Sequence, residues 1–205
     1  MAKPELRVTV FSDYICPFCY IGDARLQQLR DEYELKVNWC LLELHPETPA
    51  EGMPVVDLGY PVAQWQRMMA GLRDLAVTDD LPLAEHTFTT NSHQALLLAE
   101  AAKTCGREVF YALHQSLFEA FFVAGRNIGD ARVLSELAIQ AGVDEERLQQ
   151  AWNQPDYEHR LVQYRRAAQE LQVSATPTFF IGRERLDGVV PVARLRQAAG
   201  AVHGR

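Results

Sequence analysis

Two cysteines one helical turn apart, Cys16 and Cys19, stand where a strand-like segment gives way to a helical one, and this juxtaposition constrains the chain more than any other feature. Leu6, Val8 and Val10 alternate with Arg7 and Thr9, and Phe11 adds bulk, so Leu6 to Phe11 reads as a strand. Ser12-Asp13-Tyr14 is a short connection. The period then changes, and a helix is expected from about Cys16 to Tyr33, with Ile21, Leu26, Leu29 and Tyr33 on its buried stripe. Pro17 suits the first turn, where its missing N–H costs nothing. Leu35 to Leu44 reads as a second strand. Strand, helix and strand in that order predict a parallel crossover.

A Cys-x-x-Cys at the head of a helix has a physical meaning. The free N–H groups and the dipole at a helix start favour an anion. A thiolate is such an anion, and it is the nucleophile of thiol–disulfide exchange. Cys16, nearest the tip, is the expected nucleophile. Cys19, one turn further in, can resolve a mixed disulfide formed on Cys16. Pro17 and Phe18 set the stiffness and hydrophobicity between them. The competing reading is half of a zinc site, but a closed zinc site needs four ligands, usually as two close pairs. Cys40 and Cys105 have no such companion, and His45, His86 and His93 show no ligand spacing, so no metal is expected. Cys40 reads as a buried strand residue and Cys105 as a residue near a helix end, before Gly106.

Prolines and glycines from His45 to Pro61 break any regular element, which marks a linker. Beyond Pro61 the chain is mostly helical: Gln64 to Ala76, Ser92 to Lys103 with Ser92 as N-cap, and a stripe of Phe110, Leu113, Leu117 and Phe121. Asp130 can cap a helix ending at Gly142, and Asp144 can cap another. Tyr157, Leu161, Tyr164, Ala168 and Leu171 form one more stripe. The strand period returns at Val173, with Leu186 to Val189 as a partner, and Pro191 starts a last helix carrying Leu195, Ala198, Ala199 and Val202. The expected architecture is α/β and split: residues 1–60 and 172–205 form one sheet domain, and residues 61–171 form an inserted all-helical domain.

The chain has 205 residues, of which 48% are hydrophobic, enough for a sizeable core. Its formal net charge of -7 argues against a nucleic-acid backbone or an anionic membrane as partner. No stretch near Met1 has the pattern of a targeting segment, so a cytoplasmic location is expected. The pattern carries no signal for an oligomeric state.

Ser174-Ala175-Thr176-Pro177-Thr178-Phe179-Phe180 sets a proline just before a buried strand. Read alone, Pro177 is a trans proline opening an edge strand. Read with the upstream cysteine pair, it resembles the cis proline that faces the Cys-x-x-Cys of thioredoxin-like proteins, and that resemblance implies that the preceding residue, Thr176, offers its backbone to a bound substrate strand. Among the remaining candidates, His114 reads as a packed core histidine, His45 as a loop residue and Asn91 as a helix-cap neighbour. Tyr20, Trp65, Phe121 and Phe122 read as core, and Phe18 alone as an aromatic surface contact.

Several of these segments together resemble the DsbA family of thioredoxin-like proteins, and within it the FrnE-like branch related to 2-hydroxychromene-2-carboxylate isomerases and kappa-class glutathione transferases. The likeness runs through Phe11 to Gly22, Leu44-His45-Pro46, Asn91 to Ala95, Phe118 to Phe122, Gly125 to Ile128, Ala175 to Phe179 and Gly188 to Pro191. It implies a thioredoxin fold with a helical insertion and disulfide exchange by Cys16 and Cys19 opposite cis-Pro177. It implies no bound cofactor beyond the redox-active disulfide itself, partners that are protein or small-molecule thiols and disulfides, and glutathione as a conceivable co-substrate. Two departures bear on activity. Pro17-Phe18 stands where the periplasmic oxidant has Pro-His, which argues against strong oxidising power. The isomerases and transferases carry serine or a similar residue at the position of Cys16, so both cysteines together favour redox work over glutathione-dependent isomerisation or transfer.

Overall fold

A computed structural model describes residues 3–85 and 87–204; His86, one of the histidines considered as a ligand, lies outside them. The alternation in the first segment becomes strand β1 (Glu5–Ser12), which runs parallel to β2 (Glu34–Leu41) in register from Glu5 and Glu34 onward. On its other edge β1 pairs antiparallel with β5 (Thr178–Ile181), and β5 pairs with β6 (Glu184–Asp187), giving the order β2-β1-β5-β6. Helix α1 (Pro17–Gln27) makes the crossover, and α8 (Val192–Val202) closes the chain. Leu6, Val8 and Val10 share a buried core with Ile21, Leu26, Phe179 and Leu195. The opposite face of the sheet presents Phe11, Cys40 and Phe180, which pack with Ala168 of α7 (Pro155–Glu170).

Between the two halves of the sheet lie α2 (Val62–Thr78), α3 (His93–Thr104), α4 (Arg107–Phe122), α5 (Ala131–Ala141), α6 (Glu145–Ala151) and α7. Ala95 to Ala102 of α3 are buried without a break, so this helix is the hub of the insertion. The Asp130 and Asp144 side chains accept from the N–H groups of Arg132 and Arg147 and start α5 and α6 as the sequence indicates. Among the described residues no helix is long and apolar enough to cross a membrane.

The differences from the sequence reading have physical causes. The first helix ends at Gln27, and a 3-10 turn (Gln28–Asp31) comes next; its tighter winding still buries Leu29, while Tyr33 falls beyond it. The second strand ends at Leu41, and the Leu44 N–H donates to the Asp13 carboxylate instead of to a neighbouring strand. The expected linker carries a short strand, β3 (Met53–Pro54), paired with β4 (Phe88–Thr89), and a 3-10 turn over Val55–Leu58. Ser92 has the capping position before α3, but its side chain makes no cap; Asn91 Oδ1 accepts from the His93 N–H at 2.8 Å instead. Val173 precedes the strand rather than opening it, and Leu171 and Val202 end their stripes exposed.

Candidate active site

Cys16 is the N-cap of α1, in extended conformation with φ -87° and ψ 112°, and Pro17 takes the first helical position. No acidic residue occupies the first turn of the helix, so no carboxylate of α1 itself offsets its positive end. Cys16 and Cys19 are free thiols, both buried in the protein interior. Hydrogen bonding by the Cys19 thiol pulls the Cys16 thiol below its ordinary pKa; burial opposes this, and the Thr176 hydroxyl and the Cys19 N–H assist it. The Thr176 hydroxyl donates to Cys16 Sγ at 3.4 Å, and the Thr176 carbonyl lies 3.5 Å from the same sulfur. Cys19 moves the other way: burial and the neighbouring Cys16 push its thiol well up. The two sulfurs are thus divided into one held toward thiolate and one held protonated.

Asp13 has the sequence signature of a turn residue and no more. It is fully buried, and burial raises its carboxyl to about 7, opposed by N–H groups of Leu44 and Ile15 and by the Ser92 hydroxyl. Its Oδ2 accepts from the Leu44 N–H at 2.9 Å. Its charge opposes a thiolate on Cys16. Only its burial, which the local sequence does not announce, distinguishes it from an ordinary turn aspartate.

The Thr176–Pro177 peptide bond is cis. Pro177 sits against α1 at Gly22, where a Cβ would come within 2.8 Å of the proline ring and 3.1 Å of Phe179. Glycine at this position therefore sets how closely the helix bearing the cysteines approaches the loop bearing Thr176.

A cavity of about 110 Å³ opens beside Cys16 and Pro17. Leu44, Val55, Trp65, Met68 and Met69 contribute its apolar walls, and His45 is the one titratable side chain on it besides Cys16 and Tyr60. This corrects one sequence reading. Trp65 lines the cavity rather than the core, because α2 buries only Leu72 and Ala76 fully and turns its remaining apolar stripe toward Cys16. Phe18, between the two cysteines, is half-buried, its ring packed against the core. Tyr20, Phe121 and Phe122 are buried, as their spacing predicts. His114 is buried with Nδ1 2.8 Å from the Tyr14 hydroxyl, Cys40 is buried on β2, and Cys105 ends α3. Among the described residues no group of three or more His, Cys, Asp and Glu side chains converges in a way that could hold a metal ion.

The sequence profile of the DSBA-like thioredoxin domain family matches residues 7–200. The uncharacterised protein YwbO of Bacillus subtilis is 30% identical over 193 residues, which cover 92% of this chain and 90% of that protein. A crystal structure of a probable DsbA oxidoreductase from Streptomyces coelicolor superposes with a TM-score of 0.84 at 25% identity, covering 98% of this chain and 91% of that one. The structure of a 2-hydroxychromene-2-carboxylate isomerase shares the fold with a TM-score of 0.74 at 19% identity, covering 96% of each chain.

Proposed function

Because the chain belongs to the family of DsbA-like thioredoxin domains, we propose that it is a thiol–disulfide oxidoreductase in which Cys16 exchanges with a substrate sulfur and Cys19 closes the cycle. The observation that carries this reading is geometric: Cys16 is the N-cap of α1 with Cys19 one turn further in, and the Thr176 hydroxyl beside cis-Pro177 donates to Cys16 Sγ at 3.4 Å. In the reducing direction the Cys16 thiolate attacks a substrate disulfide. A Cys16–substrate disulfide forms, the substrate S–S bond breaks, and one substrate thiolate leaves. Cys19 then gives up its proton and attacks Cys16 sulfur, releasing the second substrate thiolate and leaving the Cys16–Cys19 disulfide. Two electrons pass to the substrate, and the same steps reversed oxidise a dithiol. Asp13, with its carboxyl raised to about 7, is the buried group near the pair that can change its proton at neutral pH.

The apolar cavity favours a disulfide flanked by an uncharged, apolar group. Its volume of about 110 Å³ is of the order of a cavity that holds benzene. In this reading Thr176, next to cis-Pro177 and in contact with Cys16 Sγ, offers its backbone to the substrate. The redox-active pair then needs no bound cofactor, and glutathione is one thiol able to act as a co-substrate.

Cys19→Ser tests the cycle. Cys16 still attacks, but nothing resolves the product, so mixed disulfides on Cys16 accumulate and intact-mass spectrometry detects them. Absence of adducts at Cys16 in the presence of a disulfide substrate contradicts the reading. Retention of glutathione without dithiol cycling would instead favour a glutathione-dependent isomerase or transferase.

A further inference from the structure

The wall of the Cys16 cavity is held from outside by a histidine that the exchange chemistry does not use. His93, the first residue of α3, has Nδ1 3.0 Å from Glu43 Oε2 and Nε2 3.0 Å from Glu158 Oε2 on α7. A neutral imidazole carries one N–H and can donate to only one of these carboxylates, whereas the cation donates to both. With Nδ1 hydrogen-bonded to Glu43 and a second carboxylate, that of Glu158, 3.0 Å from Nε2, the surroundings favour the imidazolium.

The groups around it are few. Glu43 comes from the segment after β2, and its Oε1 accepts from Asn91 Nδ2 at 3.1 Å. Glu158 comes from α7, which also carries Arg165, whose charge acts on Glu43. The other residues lining the adjoining hollow, Gln94, Leu97, Trp152, Asn153, Gln154 and Pro155, carry no charge. Hydrogen bonding to Glu43 holds the His93 pKa above the usual imidazole range against the effect of burial. Burial pushes the Glu43 carboxyl up, but His93 and Asn91 outweigh it and bring the carboxyl down.

Glu43 directly precedes the residues that shape the site. The Leu44 N–H holds Asp13, Leu44 and His45 line the cavity, and Asn91 Nδ2 donates to the Pro46 carbonyl at 3.2 Å. We propose that His93 is a positioning residue for the Cys16 site: as a cation it ties Glu43 to α7 and fixes the Glu43–Pro46 wall, and it releases that wall on losing its proton. The functional consequence rests on the proposed thiol–disulfide exchange. The clamp is closed where the two glutamates are ionised and His93 is protonated, and it opens as pH rises through the elevated His93 midpoint.

The test uses nuclear magnetic resonance on the full chain, following the His93 ring and the Leu44 amide across pH in the native protein and in His93→Gln, Glu43→Gln and Glu158→Gln. The His93 midpoint is expected above the ordinary value of about 6.5, and each glutamine substitution at a glutamate lowers it by roughly one unit. The Leu44 amide shows a step at the His93 midpoint that moves with Glu158→Gln and vanishes in His93→Gln, while the Asp13 step stays. With an apolar disulfide substrate, KM rises about three-fold through the same midpoint and is flat in His93→Gln, with kcat unchanged. A His93 midpoint at or below the ordinary value overturns the proposal, as does a Leu44 step at the His93 midpoint that persists in His93→Gln, or a KM that ignores the His93 midpoint in an active enzyme. The resonance readout needs no turnover, so a chain with a titrating clamp and no exchange activity would sink the functional reading and leave the clamp standing.

Discussion

Cys16→Ser removes dithiol-dependent disulfide reduction, a loss on the order of 10³-fold or more relative to the native chain. A serine hydroxyl keeps its proton at neutral pH and forms no exchangeable bond to sulfur, so the first step has no nucleophile. Cys19 cannot take over. Its thiol is buried one turn inside α1, and burial together with Cys16 pushes its pKa well up, which leaves almost no thiolate to attack. Neither Cys40 nor Cys105 lies on the cavity beside Cys16, and burial raises the Cys40 thiol to about 11. Turnover of a disulfide with excess dithiol measures the loss. A Cys16→Ser protein retaining more than about a tenth of native turnover would show that another group carries the chemistry.

Arg25→Ala costs about 3–5 kcal/mol of stability, the penalty for leaving a buried charge without its partner. Arg25 of α1 is almost wholly buried. Its Nε donates to Asp79 Oδ2 at 2.6 Å, Nη2 to Asp79 Oδ1 at 3.3 Å and Nη1 to the Val190 carbonyl at 3.0 Å. One guanidinium thus joins the cysteine-bearing helix, the end of α2 and the segment before α8. Truncation strands the Asp79 carboxylate and the Val190 carbonyl together. For a chain of this size the loss corresponds to a fall of roughly 6–20 °C in Tm. Arg25→Met with Asp79→Leu recovers much of it, because no unpaired charge remains. Thermal unfolding of the native chain, the single variant and the double variant decides the matter, and a single-variant fall of under about 2 °C would mean that the pair is solvated.

How far the sequence speaks depends on the range of the interaction. The cysteine pair, the strand before it and the helix after it are encoded within a few residues, and so are the Asp130 and Asp144 caps; these are legible. Arg25 and Asp79 are 54 positions apart, and nothing near either announces the other. The same holds for Glu43, His93 and Glu158. Trp65, Met68 and Met69 have the spacing of an ordinary core stripe, and only the placement of α2 over Cys16 turns them into the wall of a cavity. Asp13 looks like a turn residue until the fold closes over it. Ser92 and Asn91 are adjacent candidates for one capping task, and burial of Ser92 leaves it to Asn91.

The proposed chemistry stands on charge separation between two neighbouring sulfurs. Alkylation as a function of pH, with each modified cysteine identified by mass spectrometry, reads that separation directly. Because its pKa is lowered, Cys16 should gain reactivity as pH rises through a midpoint below the ordinary thiol value of about 8.5, while Cys19 stays unmodified well above that pH. A Cys16 midpoint at or above the ordinary value, or modification of Cys19 ahead of Cys16, would contradict it.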